Sequence, residues 1–98
     1  MRVAIFLGIE IFFHTLDHLP PHVHAMKPGE WEIRIDLDRT SKANGLIYTM
    51  KFPPQKKLPK GFSPLTSNER KQLLKYIVKE KAELLKLWQQ KVSVREVI

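Results

Sequence analysis

A chain of 98 residues has room for one domain with a modest core and none for a separate cofactor domain. Its 43% hydrophobic content and two Trp argue for a folded core, and the absence of Cys excludes disulfides, thiolate metal sites, Fe–S ligation and thiol nucleophiles. The net charge of +7 is one-sided: residues 1–49 carry five Lys/Arg against six Asp/Glu, residues 50–98 twelve against four, so the excess points to an acidic partner such as nucleic acid, or to solubility by lysine.

The chain opens with Met1-Arg2 and an apolar run over residues 3–9. Glu10 interrupts that run and no small-residue cleavage site follows, so a strand is expected in place of a signal peptide. No apolar run approaches the ~20 residues of a membrane helix, and with no Cys a cytoplasmic location is the expectation. Residues 2–14 read as extended, with Gly8 marking a bulge in one strand or a tight turn between two. Residues 15–21 read as a loop, because Pro20-Pro21 cannot occupy a paired central strand. His22–Lys27 and residues 31–38 form an expected hairpin around Pro28-Gly29. In its second strand Trp31, Ile33, Ile35 and Leu37 face one way and Glu32, Arg34, Asp36 and Asp38 the other.

After a polar loop ending in Asn44-Gly45, residues 46–52 read as a further strand with Leu46, Tyr48, Met50 and Phe52 on one face. Residues 53–64, with four Pro, read as an irregular loop. Thr66-Ser67-Asn68-Glu69 fits a capping box and predicts a helix from there to Gln90. Leu73, Ile77, Leu84 and Trp88, flanked by Leu74, Val78, Ala82 and Leu85, make its apolar stripe. Residues 92–98 are a short apolar tail, a candidate strand or dimer contact. The expected architecture is α+β: an antiparallel sheet of four to five strands with one long C-terminal helix packed on one face.

All four His fall between His14 and His24. His22 and His24, two apart on a strand, project from one face, and His18 or Asp17 can approach from the loop. That makes His18, His22 and His24 candidate ligands of a divalent metal such as zinc, nickel or manganese, with an open position for activated water. Without a metal, Asp17, His18, His22 and His24 are the raw material of general acid–base catalysis, for instance phosphodiester cleavage. The plain structural alternative comes from register. If the hairpin closes symmetrically about Pro28-Gly29, His24 faces Ile33 and His22 faces Ile35, so both are core histidines under the helix, whereas a one-residue shift moves them to the polar face.

Lys71, Lys75 and Lys79, four apart on one helix face, repel one another slightly, so helix stability does not explain them. With Lys56, Lys57 and Lys60, interleaved with Phe52 and Phe62, they are candidates for tracking a nucleic-acid backbone. A solvated lysine face accounts for the same residues.

The segment Asp17-His18-Leu19-Pro20-Pro21-His22-Val23-His24 resembles the signature of a bacterial family of small proteins, domain-of-unknown-function family 4160, over most of residues 5–90. The preceding strand, the Trp31 strand and the Leu84 to Trp88 helix end match more loosely, and residues 38–66 run longer than the family pattern. The resemblance implies no established activity. It implies a toxin–antitoxin-like or regulatory component acting on nucleic acid, with a small partner protein encoded nearby. Two alternatives stand beside it: a small metal- or His-dependent hydrolase or nuclease using His18, His22 and His24, and an interaction module dimerising through residues 92–98.

Overall fold

The computed structural model describes residues 1–94. Five antiparallel strands form the sheet: β1 (Arg2–Phe6), β2 (Ile9–Phe12), β4 (His22–Lys27), β5 (Trp31–Asp36) and β6 (Tyr48–Phe52), in the order β1-β2-β4-β5-β6. Leu7 and Gly8 both adopt positive φ, 53° and 73°, so the Gly8 region is a tight two-residue turn whose twist suits the flanking strands. One long helix, α1 (Ser67–Lys91), contributes Leu73, Ile77, Leu84 and Trp88 to a core shared with Ile9, Ile11, Val23, Ala25, Ile33 and Ile35. The expected α+β architecture is the observed one.

The helix begins where its caps dictate. Thr66 Oγ1 accepts from the Glu69 backbone N–H at 3.0 Å, and Glu69 Oε1 accepts from the Thr66 N–H at 2.8 Å. Glu69 also takes Lys27 Nζ at 2.8 Å, which ties the first turn to the end of β4. Burial pushes the Glu69 carboxyl up, but Lys27 and the Thr66 N–H outweigh it and hold it below the usual range. The apolar stripe is narrower than its spacing predicts, because Val78 and Ala82 are exposed and Leu74 and Leu85 only half-buried.

Three expectations are corrected. The hairpin does not close about Pro28-Gly29. Glu30 N–H donates to the Lys27 carbonyl at 2.9 Å, and the first strand pair beyond that turn is Lys27 with Trp31. Glu30 thus belongs to the turn, and the register slips by one: His24 pairs with Arg34 and His22 with Asp36. Both histidines therefore lie on the sheet face opposite the helix. The second correction concerns residues 15–21, which contain a two-residue strand, β3 (Leu16–Asp17). It runs parallel to β7 (Ser93–Val94), directly after the helix. The third concerns Phe52. A register shift opposite Glu32 and Ile33 pairs Phe52 with Glu32, and Phe52 is exposed, away from the face that Tyr48 and Met50 share. Of the tail, residues 93–94 form this intramolecular pair, and residues 95–98 lie outside the described residues.

Candidate metal centre

The slip places His22 and His24 on the face that alternation in β5 marks as polar, yet both are only 3% exposed. What covers them is the chain between β2 and β4. β7 holds β3 in place through pairs Leu16–Ser93 and Asp17–Val94, and β3 carries Asp17 to the two imidazoles. Phe12, the β2 neighbour of His24, stacks on it at a centroid distance of 5.3 Å, and His14 meets it edge-on at 4.1 Å.

Asp17 Oδ2 is 2.8 Å from His22 Nε2 and 3.1 Å from His24 Nε2, while Asp17 Oδ1 accepts from the His18 backbone N–H at 2.9 Å. These three ligand atoms all lie within 4.8 Å of one another. Bonds of about 2.0–2.1 Å in a tetrahedral zinc site separate adjacent ligand atoms by about 3.3 Å. The two Asp17–imidazole distances thus need to open by only a few tenths of an ångström to admit a cation.

The other ring nitrogens decide the polarity of the site. His22 Nδ1 is 2.8 Å from the Pro20 carbonyl. A carbonyl oxygen only accepts, so Nδ1 carries the hydrogen, and the remaining position, Nε2, points at a carboxylate oxygen. His24 Nδ1 is buried and has no hydrogen-bond partner among the described residues, with Glu32 Oε2 at 4.0 Å as its nearest charge. Both imidazoles therefore turn Nε2 to Asp17 and Nδ1 outward, onto the Pro20 carbonyl in His22 and to the side of Glu32, beyond hydrogen-bond reach, in His24. Lone pairs converging on a carboxylate repel unless a cation lies between them, either protons or a metal ion.

Electrostatics favours a ring ready to coordinate. Burial lowers the His24 pKa from 6.5 to about 4, helped by His14 and His22 and opposed by Asp17, so His24 is neutral at neutral pH. Burial would raise Asp17, but the hydrogen bond from His24, the His18 N–H and the nearby His22 hold it down at about 2. It is a carboxylate throughout the physiological range.

Of the sequence candidates, the structure brings together Asp17, His22 and His24. His18 stands at the rim: it is exposed, its Nδ1 faces the Leu19 carbonyl at 3.1 Å, and its Nε2 takes Arg34 Nη1 at 3.3 Å. A second trio, His14, His24 and Glu32, also has ligand atoms within 4.8 Å, but His14 is exposed and Glu32 half-exposed. Lys56 and Lys57 sit in a short 3-10 turn (Gln55–Lys57), exposed like Lys60. Lys71, Lys75 and Lys79 are exposed on α1 and, with Lys42, ring the apolar Leu74 and Val78. Sequence reasoning missed Glu32, Arg34 and Asp36, which alternation assigned to water. It also missed the Pro20 carbonyl, which no side-chain pattern reveals.

Among the described residues no helix is long and apolar enough to cross a membrane. No curated protein and no solved structure shows significant similarity to the chain. A family model, Domain of unknown function (DUF4160), matches residues 8–89, from the turn before β2 to the last turns of α1, and includes every ligand candidate above. The chain belongs to the DUF4160 family.

Proposed function

We propose that this chain is a small divalent-metal-dependent hydrolase, its metal held by Asp17 Oδ2, His22 Nε2 and His24 Nε2. One observation carries the reading: the shared polarity of the two imidazoles, with Nδ1 of His22 on the Pro20 carbonyl and the unpartnered, buried Nδ1 of His24 beside Glu32. Metal-ligating histidines ordinarily give their other N–H to a carbonyl or carboxylate, and ligating carboxylates are themselves hydrogen-bonded, as Asp17 is by the His18 N–H. In the metal-free protein neutral His24 has one proton and two claimants. If it serves Asp17, a buried lone pair faces Glu32. A cation at Nε2 leaves the proton on Nδ1, on the side of the Glu32 carboxylate.

Metal-free acid–base catalysis is less well supported. Both ring nitrogens of His22 are committed, to Pro20 and Asp17, so neither faces a substrate. Three protein ligands, by contrast, leave a bound divalent ion an open position from which to polarise a substrate oxygen or activate water. His22 also lines a cleft of about 170 Å³, which adjoins the cluster through that residue.

The test is a titration with zinc, nickel and manganese of wild type, Asp17→Asn, His22→Ala and His24→Ala, with circular dichroism to verify folding. One equivalent bound by wild type and lost in folded variants supports the reading, and metal-dependent hydrolysis of an activated ester completes it. Equal binding by all four proteins would sink it. A second reading, nucleic-acid binding, is favoured by Lys42, Lys71, Lys75 and Lys79 around Leu74 and Val78, a basic rim on an apolar patch.

A further inference from the structure

The cleft beside the metal cluster has its own chemistry. Its polar lining includes His22, Arg34, Asp36, Arg39 and Thr49, drawn from β4, β5, the loop after β5 and β6, and Pro20 and Ile47 add apolar wall. Arg34 rises from β5 next to His24 and has no carboxylate within salt-bridge distance among the described residues. Its one side-chain hydrogen bond among the described residues is with His18 Nε2 at 3.3 Å, on the rim. A guanidinium in a cleft without a counter-anion is an uncompensated charge with several donors to spare.

Arg39 is held differently. Asp36, 8% exposed, takes the Arg39 backbone N–H on Oδ1 at 2.8 Å and Arg39 Nε on Oδ2 at 2.9 Å. Burial pushes Asp36 up, but these Arg39 contacts dominate and hold it below the usual carboxylate range. Asp36 thus spends its charge fixing Arg39 by one edge, while the two terminal amino groups of Arg39 have no hydrogen-bond partner among the described residues. The cleft's remaining charge is that of Arg34, and Thr49, its cross-strand partner on β6, adds a hydroxyl-bearing side chain.

We propose that this cleft is a phosphoryl-binding subsite, formed by Arg34 and the Asp36-anchored Arg39, which presents a phosphate ester to the metal cluster through their shared wall, His22. The proposal rests on the hydrolase reading and names its substrate class. Two planar forks beside Thr49 match a tetrahedral oxyanion of several acceptors better than a carboxylate, which one fork satisfies. The carrier of the phosphate is either a nucleic-acid strand or a small phosphate ester, and these separate experimentally.

The experiment uses the full chain with and without one equivalent of zinc, at fixed ionic strength. Inorganic phosphate is titrated while the arginine Nε–Hε resonances are followed, and a labelled single-stranded oligonucleotide is titrated by fluorescence anisotropy. The expected result is saturable movement of the Arg34 and Arg39 resonances by phosphate. Charge-assisted hydrogen bonds of this kind contribute enough that Arg34→Ala should weaken phosphate binding by about tenfold or more. Arg34→Lys, which keeps charge but loses the fork, should weaken it in a protein whose fold is retained. The triple change Lys71→Gln, Lys75→Gln, Lys79→Gln should leave it alone. An oligonucleotide affinity that falls with Arg34→Ala identifies a strand as the carrier; one that does not, while phosphate binding falls, identifies a small ester. Resonances unmoved at millimolar phosphate, or an Arg34→Ala protein that binds phosphate like wild type, overturns the subsite. Zinc binding measured in parallel reports on the metal centre separately: zinc bound without phosphate removes the subsite alone, and phosphate bound without zinc supports the subsite while removing the metal centre.

Discussion

Acid should loosen the metal-free domain in two stages, and the first belongs to His24. Its folded pKa of about 4 lies below the 6.5 of the unfolded chain. Above pH 6.5 the ring is neutral in both states. Between 6.5 and 4 only the unfolded chain takes the proton, so stability falls as pH falls through this window and levels off below it. A displacement of that size corresponds to about 3 kcal/mol, at about 1.4 kcal/mol per pKa unit. Asp17 adds a second stage. Its folded pKa of about 2 lies below the ordinary 3.8, so its contribution is present above 3.8 and is lost between 3.8 and 2, about 2 kcal/mol more. Against a total of about 5–15 kcal/mol for a domain, the first stage alone is large. Urea unfolding in EDTA at pH 7.5, 5.5 and 4.0, read by tryptophan fluorescence, measures it. With an m value of about 1–3 kcal/mol/M, the midpoint should drop by about 1–3 M between pH 7.5 and 4.0. His24→Gln cannot take up the proton, so its loss over the same range should be smaller by about 3 kcal/mol. Equal losses in variant and wild type would refute the reasoning, because the pH dependence would then arise elsewhere.

Three further outcomes are expected. Thr66→Ala removes one half of the capping box and should cost about 1 kcal/mol, lowering Tm by about 4–8 °C in a thermal melt; an unchanged Tm contradicts the assignment of the helix start. Deleting residues 93–98 removes the strand that holds β3, so zinc affinity should fall by about tenfold or more in a protein whose helical circular dichroism persists, as loss of a supporting outer shell does elsewhere. Undiminished zinc affinity would show that Asp17 is placed without β7. The triple lysine-to-glutamine change at 71, 75 and 79 should flatten the salt dependence of oligonucleotide binding in a gel shift, and an unchanged slope removes those residues from any such interface.

The strands, the helix and its cap are legible because each rests on a local rule. Alternation over Trp31 to Leu37 and the spacing of Leu73, Ile77, Leu84 and Trp88 survive any tertiary context that buries one face. The centre is legible only as a composition. A single residue of turn length, Glu30, decides whether His22 and His24 point at the helix or away from it, and symmetric closure gives the wrong answer. The cover over the polar face is invisible for another reason: the β3–β7 pair joins residues 16–17 to 93–94, a contact between two-residue strands too short to show any periodicity. Alternation in β5 likewise reads Glu32, Arg34 and Asp36 as solvent-facing, whereas Glu32 stands beside buried His24, Arg34 walls a cleft and Asp36 anchors Arg39.

The most direct test of the metal centre is the protonation pattern of its histidines, read from long-range 1H–15N correlations before and after one equivalent of zinc. The account predicts that His22 and His24 both hold their hydrogen on Nδ1 in the zinc-loaded protein, with both Nε2 resonances displaced by coordination and His14 and His18 unmoved. A zinc titration that shifts His14 and His18 while His24 keeps its hydrogen on Nε2 would contradict it, placing the metal on surface imidazoles and returning Asp17, His22 and His24 to a buried network closed by protons.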